Sequence, residues 1–183
     1  MLFGKKRPVK HVVGNHELTT LSRDQLAEII GEKNIYYSFD LNGYHHVILG
    51  IYRNSKDELF KIDEEQIIWL KKNLNKTKLP TLVYCHYPLD NQNIESNYYF
   101  SERPDKAFIK NKEEVRSIME SSKKVLAVFN GHLHFFNQEN IDGIIYVTVP
   151  SFTENNGKNK PIAEYLEVEM EANKIEISVN KLA

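Results

Sequence analysis

The residues best suited to chemistry are Asn130-Gly131-His132-Leu133-His134, placed where the apolar run Val125-Leu126-Ala127-Val128-Phe129 ends. Five apolar residues bounded by polar ones read as a buried strand. Gly131 permits an unusual turn, and two imidazoles follow at i and i+2. If the backbone stays extended they face the same side, roughly 6 to 7 Å apart. They could then share one metal or serve two ions about 3.5–4 Å apart. Taken alone, such a pair reads more readily as loop histidines with no ligand.

Two further segments follow the same plan. Pro8-Val9-Lys10-His11-Val12-Val13 reads as a short strand that stops at Gly14-Asn15-His16-Glu17. Pro80-Thr81-Leu82-Val83-Tyr84-Cys85 reads as a strand that stops at His86-Tyr87-Pro88. The carboxyl ends of strands are where open α/β sheets carry ligands. Three strand ends therefore bring Asn15-His16, His86 and His132/His134 toward one place. Neutral imidazoles with an amide oxygen suit Mn, Fe, Zn or Ni better than Ca or Mg.

The elements that must position them alternate helix and strand. Ser22-Arg23-Asp24-Gln25 has the spacing of a capping box, with Leu26, Ile29 and Ile30 as the apolar face and Gly31 as the stop. Asp63-Glu64-Glu65-Gln66 repeats the spacing ahead of Ile67, Ile68, Trp69, Leu70 and Leu74. A third helix spans about 112–122, with Val115, Ile118 and Met119 inward. Asn42-Gly43 joins strands over 35–41 and 44–51, and Asp142-Gly143 joins 135–141 to 144–149, both strong hairpin signals. Residues 163–170 and 174–179 alternate around Ala172-Asn173 as a closing hairpin with one face in solvent. The fold class is α/β with a mixed sheet or two. His45 and His46 are adjacent in a strand, so at most one could face a site, and both read as structural or surface residues. Trp69 packs helix to sheet, and Cys85 is a small buried apolar group. The stretch 89–110 has no clear period, and is either a binding loop or a surface excursion with its own aromatic cluster.

Composition narrows the rest. The 183 residues are 41% hydrophobic and 27% charged, enough for a real core in one domain. Lys+Arg of 24 against Asp+Glu of 25 makes no case for nucleic acid or a membrane surface. No apolar run approaches the roughly 18 residues of a membrane span. The basic segment 1–7 lacks the apolar stretch of a secretory signal. The lone cysteine excludes an internal disulfide and fits a reducing compartment or simply a fold that needs no staple, and localisation is otherwise open, cytoplasmic by default.

Gly14-Asn15-His16-Glu17, Cys85-His86-Tyr87-Pro88 and Gly131-His132-Leu133-His134 together resemble, in order, the third to fifth motifs of the calcineurin-like metallophosphoesterases. Asp63-Glu64-Glu65-Gln66 with Trp69-Leu70 resembles the helix between motifs three and four. The resemblance implies a two-sheet sandwich flanked by helices and hydrolysis of a phosphomonoester or phosphodiester by a metal-bound hydroxide. It assigns Asn15, His86 and His132 to one metal and His134 to the other. His16 would stand at the leaving-group oxygen and Glu17 would orient it. By the same resemblance the substrate would be a small phosphorylated molecule, for which Arg103 and Tyr98 are candidate contacts.

The family's first two motifs, Asp-x-His and Gly-Asp-x-x-Asp/Asn, are missing from the chain. Two metals are expected in an intact parent and at most one here, because the bridging aspartate is absent. The expectation is a single metallophosphoesterase-like domain over 1–183 lacking its N-terminal βαβ portion, a missing segment that could act in cis or in trans. That loss would leave a central strand edge exposed. The alternative is a non-catalytic protein-binding module on the same fold.

Overall fold

A computed structural model describes residues 8–56, 58–95, 97–154, 160–171 and 174–182. The basic segment 1–7 and the Ala172-Asn173 turn lie outside the described residues.

Six strands form one mixed sheet: β1 (Tyr37–Leu41), β2 (Tyr44–Leu49), β3 (Thr81–Cys85), β4 (Val125–Asn130), β5 (Asn137–Ile141) and β6 (Ile144–Thr148). Their order is β1-β2-β3-β4-β6-β5. The four inner strands run parallel, and β1 and β5 return antiparallel at the margins. Both margins are outer partners of Asx-Gly hairpins, whose turn residues take the left-handed φ values those sequences favour, 51° and 83° at Asn42-Gly43 and 53° and 85° at Asp142-Gly143. Among the described residues no parallel strand stands at an edge of this sheet, so the expected exposed central edge is not found.

Each face is covered differently. Helices α2 (Glu64–Lys76) and α3 (Lys112–Ser122) bury Ile67, Leu70, Leu74, Val115 and Met119 against Val47, Val83 and Val128. On the other face β7 (Glu164–Glu171) and β8 (Lys174–Lys181) pair as a separate two-stranded sheet. Their Leu166, Met170, Ile175 and Ile177 pack on Leu82, Ala127, Phe129 and Val147, which makes the expected second layer. Alternation in β7 and β8 leaves their outward side chains in solvent.

Several local expectations need correction. Residues 8–13 pair with no strand; His11 instead exchanges both backbone hydrogen bonds with the Tyr37 hydroxyl, at 2.9 Å each. A hydroxyl satisfies one peptide group but cannot propagate a ladder, so the segment is extended without joining the sheet. The first helix, α1 (Arg23–Ile30), has its capping box and its left-handed Gly31 stop, with φ at 73°. Its inward face is Leu26 with Ala27, and Ile29 is 68% exposed. In α2, Ile68 is likewise turned outward. There Asp63 caps Gln66 N, but the Gln66 side chain does not reach back. It is buried and bonds both N–H and C=O of Gly50, at 2.9 Å each. His45 bonds Asp40 and Asn73, and His46 stacks between Phe39 and Tyr84, so both are structural. Trp69 packs on Tyr36, and burial raises the Cys85 thiol to about 12, leaving it inert.

Gln66→Ala would strand both Gly50 groups in the core. It should cost roughly 2–4 kcal/mol, one buried unsatisfied group being worth about 1–3. A denaturant midpoint unchanged from the parent would show that Gln66 does not brace this turn.

Candidate metal and phosphoester site

Parallel pairing of β3 with β4 sets both carboxyl ends at one edge of the sheet. The peptide N–H of Gly131 donates to the carbonyl of His86 at 3.0 Å, joining the two exits. The rings of His86 and His132 then meet edge to face with centroids 5.1 Å apart. Asn15 arrives from the extended N-terminal segment rather than from a strand, and His86 Nε2 donates to its Oδ1 at 2.8 Å. The shared proton sits where an ion would replace it. A Cβ on Gly14 would lie 3.0 Å from both His86 Cε1 and Glu17 Oε2, so glycine is what admits this approach.

The HxH segment is not extended. His132 and His134 both hold left-handed φ, 63° and 66°, and Leu133 N bonds back to Gly131 O at 2.7 Å. The unusual conformation thus falls on the histidines and not on Gly131. Left-handed backbone costs such residues roughly 1–2 kcal/mol each. Leu133 offsets it, fully buried with Phe100 and Ala107, while Asn97 Nδ2 donates to its carbonyl at 3.0 Å.

The imidazoles of His132 and His134 are each oriented through one ring nitrogen. His132 Nε2 donates to the Lys106 carbonyl at 2.9 Å, which leaves Nδ1 with the lone pair. Its ring lies between Tyr87, 3.8 Å away, and Phe100, 4.9 Å away. His134 Nδ1 meets Glu154 Oε2 at 2.6 Å, which frees Nε2. Burial lowers the pKa of His86 to about 4, with the nearby charges of His134 and His16 adding to the shift. Burial lowers His132 to about 3, opposed by its bond to Lys106. Both rings are therefore neutral near pH 7, the state a metal ligand requires.

A cleft of about 970 Å³ gathers Asn15, His16, His86, His132, His134 and Tyr98. Arg103 is not on its lining; its guanidinium lies over the ring of Tyr99, which is. Glu17 does not hold His16 but accepts from Gly14 N at 2.9 Å. The 89–110 stretch forms one wall through Tyr98, Tyr99, Phe100, Lys106 and Phe108. Sequence reasoning missed Arg53, Lys106 and Glu154, which carry no motif and reach the cleft only through folding.

The donor set fits one divalent transition ion. Asn15 Oδ1 lies 2.8 Å from His86 Nε2, the rings of His86 and His132 meet and are both neutral, and the Lys106 carbonyl orients His132. Among the described residues no three His, Cys, Asp or Glu side chains close on one point, so a third donor here would have to be of another kind, such as the Asn15 amide.

An α/β sheet with layers on both faces and imidazoles at its strand exits is the architecture of a metallophosphoesterase-like sandwich. Purple acid phosphatase 22 of Arabidopsis thaliana is 29% identical over 157 residues, spanning 74% of this chain and 32% of its own length. Purple acid phosphatase 21 from the same plant is 30% identical over 153 residues, 72% of this chain and 31% of its own. A dimetal phosphatase from Danio rerio superposes with a TM-score of 0.59 at 19% identity, over 78% of this chain and 60% of the other. No protein-family model matches the chain. The chain is related to the calcineurin-like metallophosphoesterases. It spans about a third of the length of the curated relatives it matches.

Two outcomes are expected. Gly14→Ala should push His86 from Asn15 and weaken metal binding roughly tenfold or more, as loss of supporting contacts does; equal affinity by titration calorimetry would refute the packing argument. In the metal-free protein, His86 and His132 have folded pKa values below their ordinary 6.5. The unfolded chain therefore gains protons first, and stability should fall as pH drops from 6.5 toward 4. Denaturant melts flat across that window would contradict the burial of both rings.

Proposed function

We propose that this cleft hydrolyses a phosphate ester, a monoester or a diester, with a divalent transition metal held by Asn15, His86 and His132. The observation that supports the reading most is the meeting of these three donors, each from a separate part of the chain, in one cleft with His16 and His134. Mn, Fe, Zn or Ni suits two imidazoles and an amide. Such an ion, when bound, supplies charge neutralisation at the phosphoryl group and activation of water at neutral pH.

The protein's own groups do the rest. His16 is exposed at the cleft wall and would protonate the leaving oxygen or stabilise its charge. Glu154 fixes the ring of His134. Tyr87 and Phe100 enclose His132 and keep water from it. In this reading Tyr98, on the lining, is a substrate contact, and Arg103, held over Tyr99 and off the lining, is not. A second ion at His134 needs further carboxylates, because beyond Glu154 the described residues form no group of three His, Cys, Asp or Glu that could hold it. We propose that a further segment, in cis or in trans, supplies them.

The test is metal content with hydrolysis of a nitrophenyl phosphodiester. One ion per chain should be retained by the parent and by His16→Ala, and lost in His86→Ala. His16→Ala should lower kcat roughly 10²-fold, the typical worth of a positioned acid. Hydrolysis that survives His86→Ala unchanged, or a parent without metal affinity, would overturn the proposal. Unchanged kinetics in Tyr98→Ala would remove Tyr98 alone.

A further inference from the structure

The cleft that holds the imidazoles is also lined by a cation that this reading does not use. Arg53 is partly buried on the segment after β2, and its guanidinium lies 4.5 Å from the centroid of the Phe60 ring. Its Nη1 donates to the Lys56 carbonyl at 3.2 Å. Phe60 in turn packs on Tyr87, with centroids 5.7 Å apart, and Tyr87 packs on His132. The guanidinium is thus held two rings from a proposed metal ligand, and its charge acts on the Tyr87 phenol.

The charges of the cleft are unevenly satisfied. Arg53, Lys56 and Lys106 line it, and none has an ion-pair partner among the described residues. Of its carboxylates, Glu58 is engaged by Asn54 at 2.9 Å and Glu154 by His134. With Asp105 the lining holds as many carboxylates as cations, but among the described residues none of the three carboxylates lies within ion-pair distance of Arg53, Lys56 or Lys106. A guanidinium has five N–H donors in a rigid fork, and the Lys56 carbonyl occupies one. The remaining donors match a carboxylate or phosphate far better than an ammonium would.

We propose that Arg53 binds a second anionic group of the substrate, so that the preferred ester carries a carboxylate or further phosphate on its leaving portion. This inference rests on the phosphoesterase reading. The metal end takes the phosphoryl group, and Arg53 fixes the far end of the molecule. Stacking on Phe60 pre-orients the guanidinium, so little side-chain freedom is lost when the anion arrives.

The test compares phenyl phosphate with 4-carboxyphenyl phosphate on the metal-loaded protein, reading Kd by calorimetry and KM by phosphate release. The parent should favour the carboxylated compound roughly tenfold, the worth of one charge-assisted pair. Arg53→Gln should bring that ratio to unity, and Arg53→Lys should leave an intermediate ratio while preserving charge and fold. If both compounds bind the parent equally, the phosphoesterase reading stands and the role of Arg53 is overturned. A ratio unchanged in both variants overturns that role as well. If neither compound binds while the nitrophenyl phosphodiester is hydrolysed, the role of Arg53 is overturned and the phosphoesterase reading stands; if the diester is not hydrolysed either, both fall.

Discussion

One backbone hydrogen bond, from Gly131 N–H to the His86 carbonyl, holds the candidate site together. It extends the β3–β4 pairing by one link beyond the named strands, at the point where both chains turn out of the sheet. Without it two strand exits would diverge, since ladder bonds are what keep neighbouring strands about 4.8 Å apart. With it, the two imidazoles meet at 5.1 Å and Asn15 can close on them.

Strain and burial then work against each other around that link. Left-handed backbone at His132 and His134 is unfavourable, and the fully buried Leu133 between them compensates by filling the apolar cluster of the 89–110 stretch. The same stretch lends the Lys106 carbonyl to His132 and the Asn97 amide to Leu133. A wall of the cleft and the orientation of a proposed ligand are therefore one packed unit. Desolvation in that unit keeps His86 and His132 neutral, which is the condition for ligation.

Much of this is readable from local signals. Asn42-Gly43 and Asp142-Gly143 announce their hairpins, and Ser22 with Gln25 announces a capped helix. Apolar runs before His86 and Asn130 mark true strands because burial on both faces demands such runs. The run at 8–13 has the same look but no partner strand, and pairing is a property no single segment contains. Gln66 shows the same limit: its spacing suits a capping box, yet the Gly50 peptide groups compete for it and win because they are buried.

The sequence alone determined the chemistry available: imidazoles and an amide at the ends of β-prone runs, near-neutral charge, and an α/β alternation of elements. Those follow from short-range spacing, which the chain carries wherever it folds. Only the tertiary structure decided which of them meet. Arg53, Lys106 and Glu154 enter the cleft, Arg103 stays behind Tyr99, and Glu17 turns to Gly14 instead of His16. Each of those outcomes depends on competition between partners distant in sequence, and side-chain direction is settled by packing that no local pattern encodes.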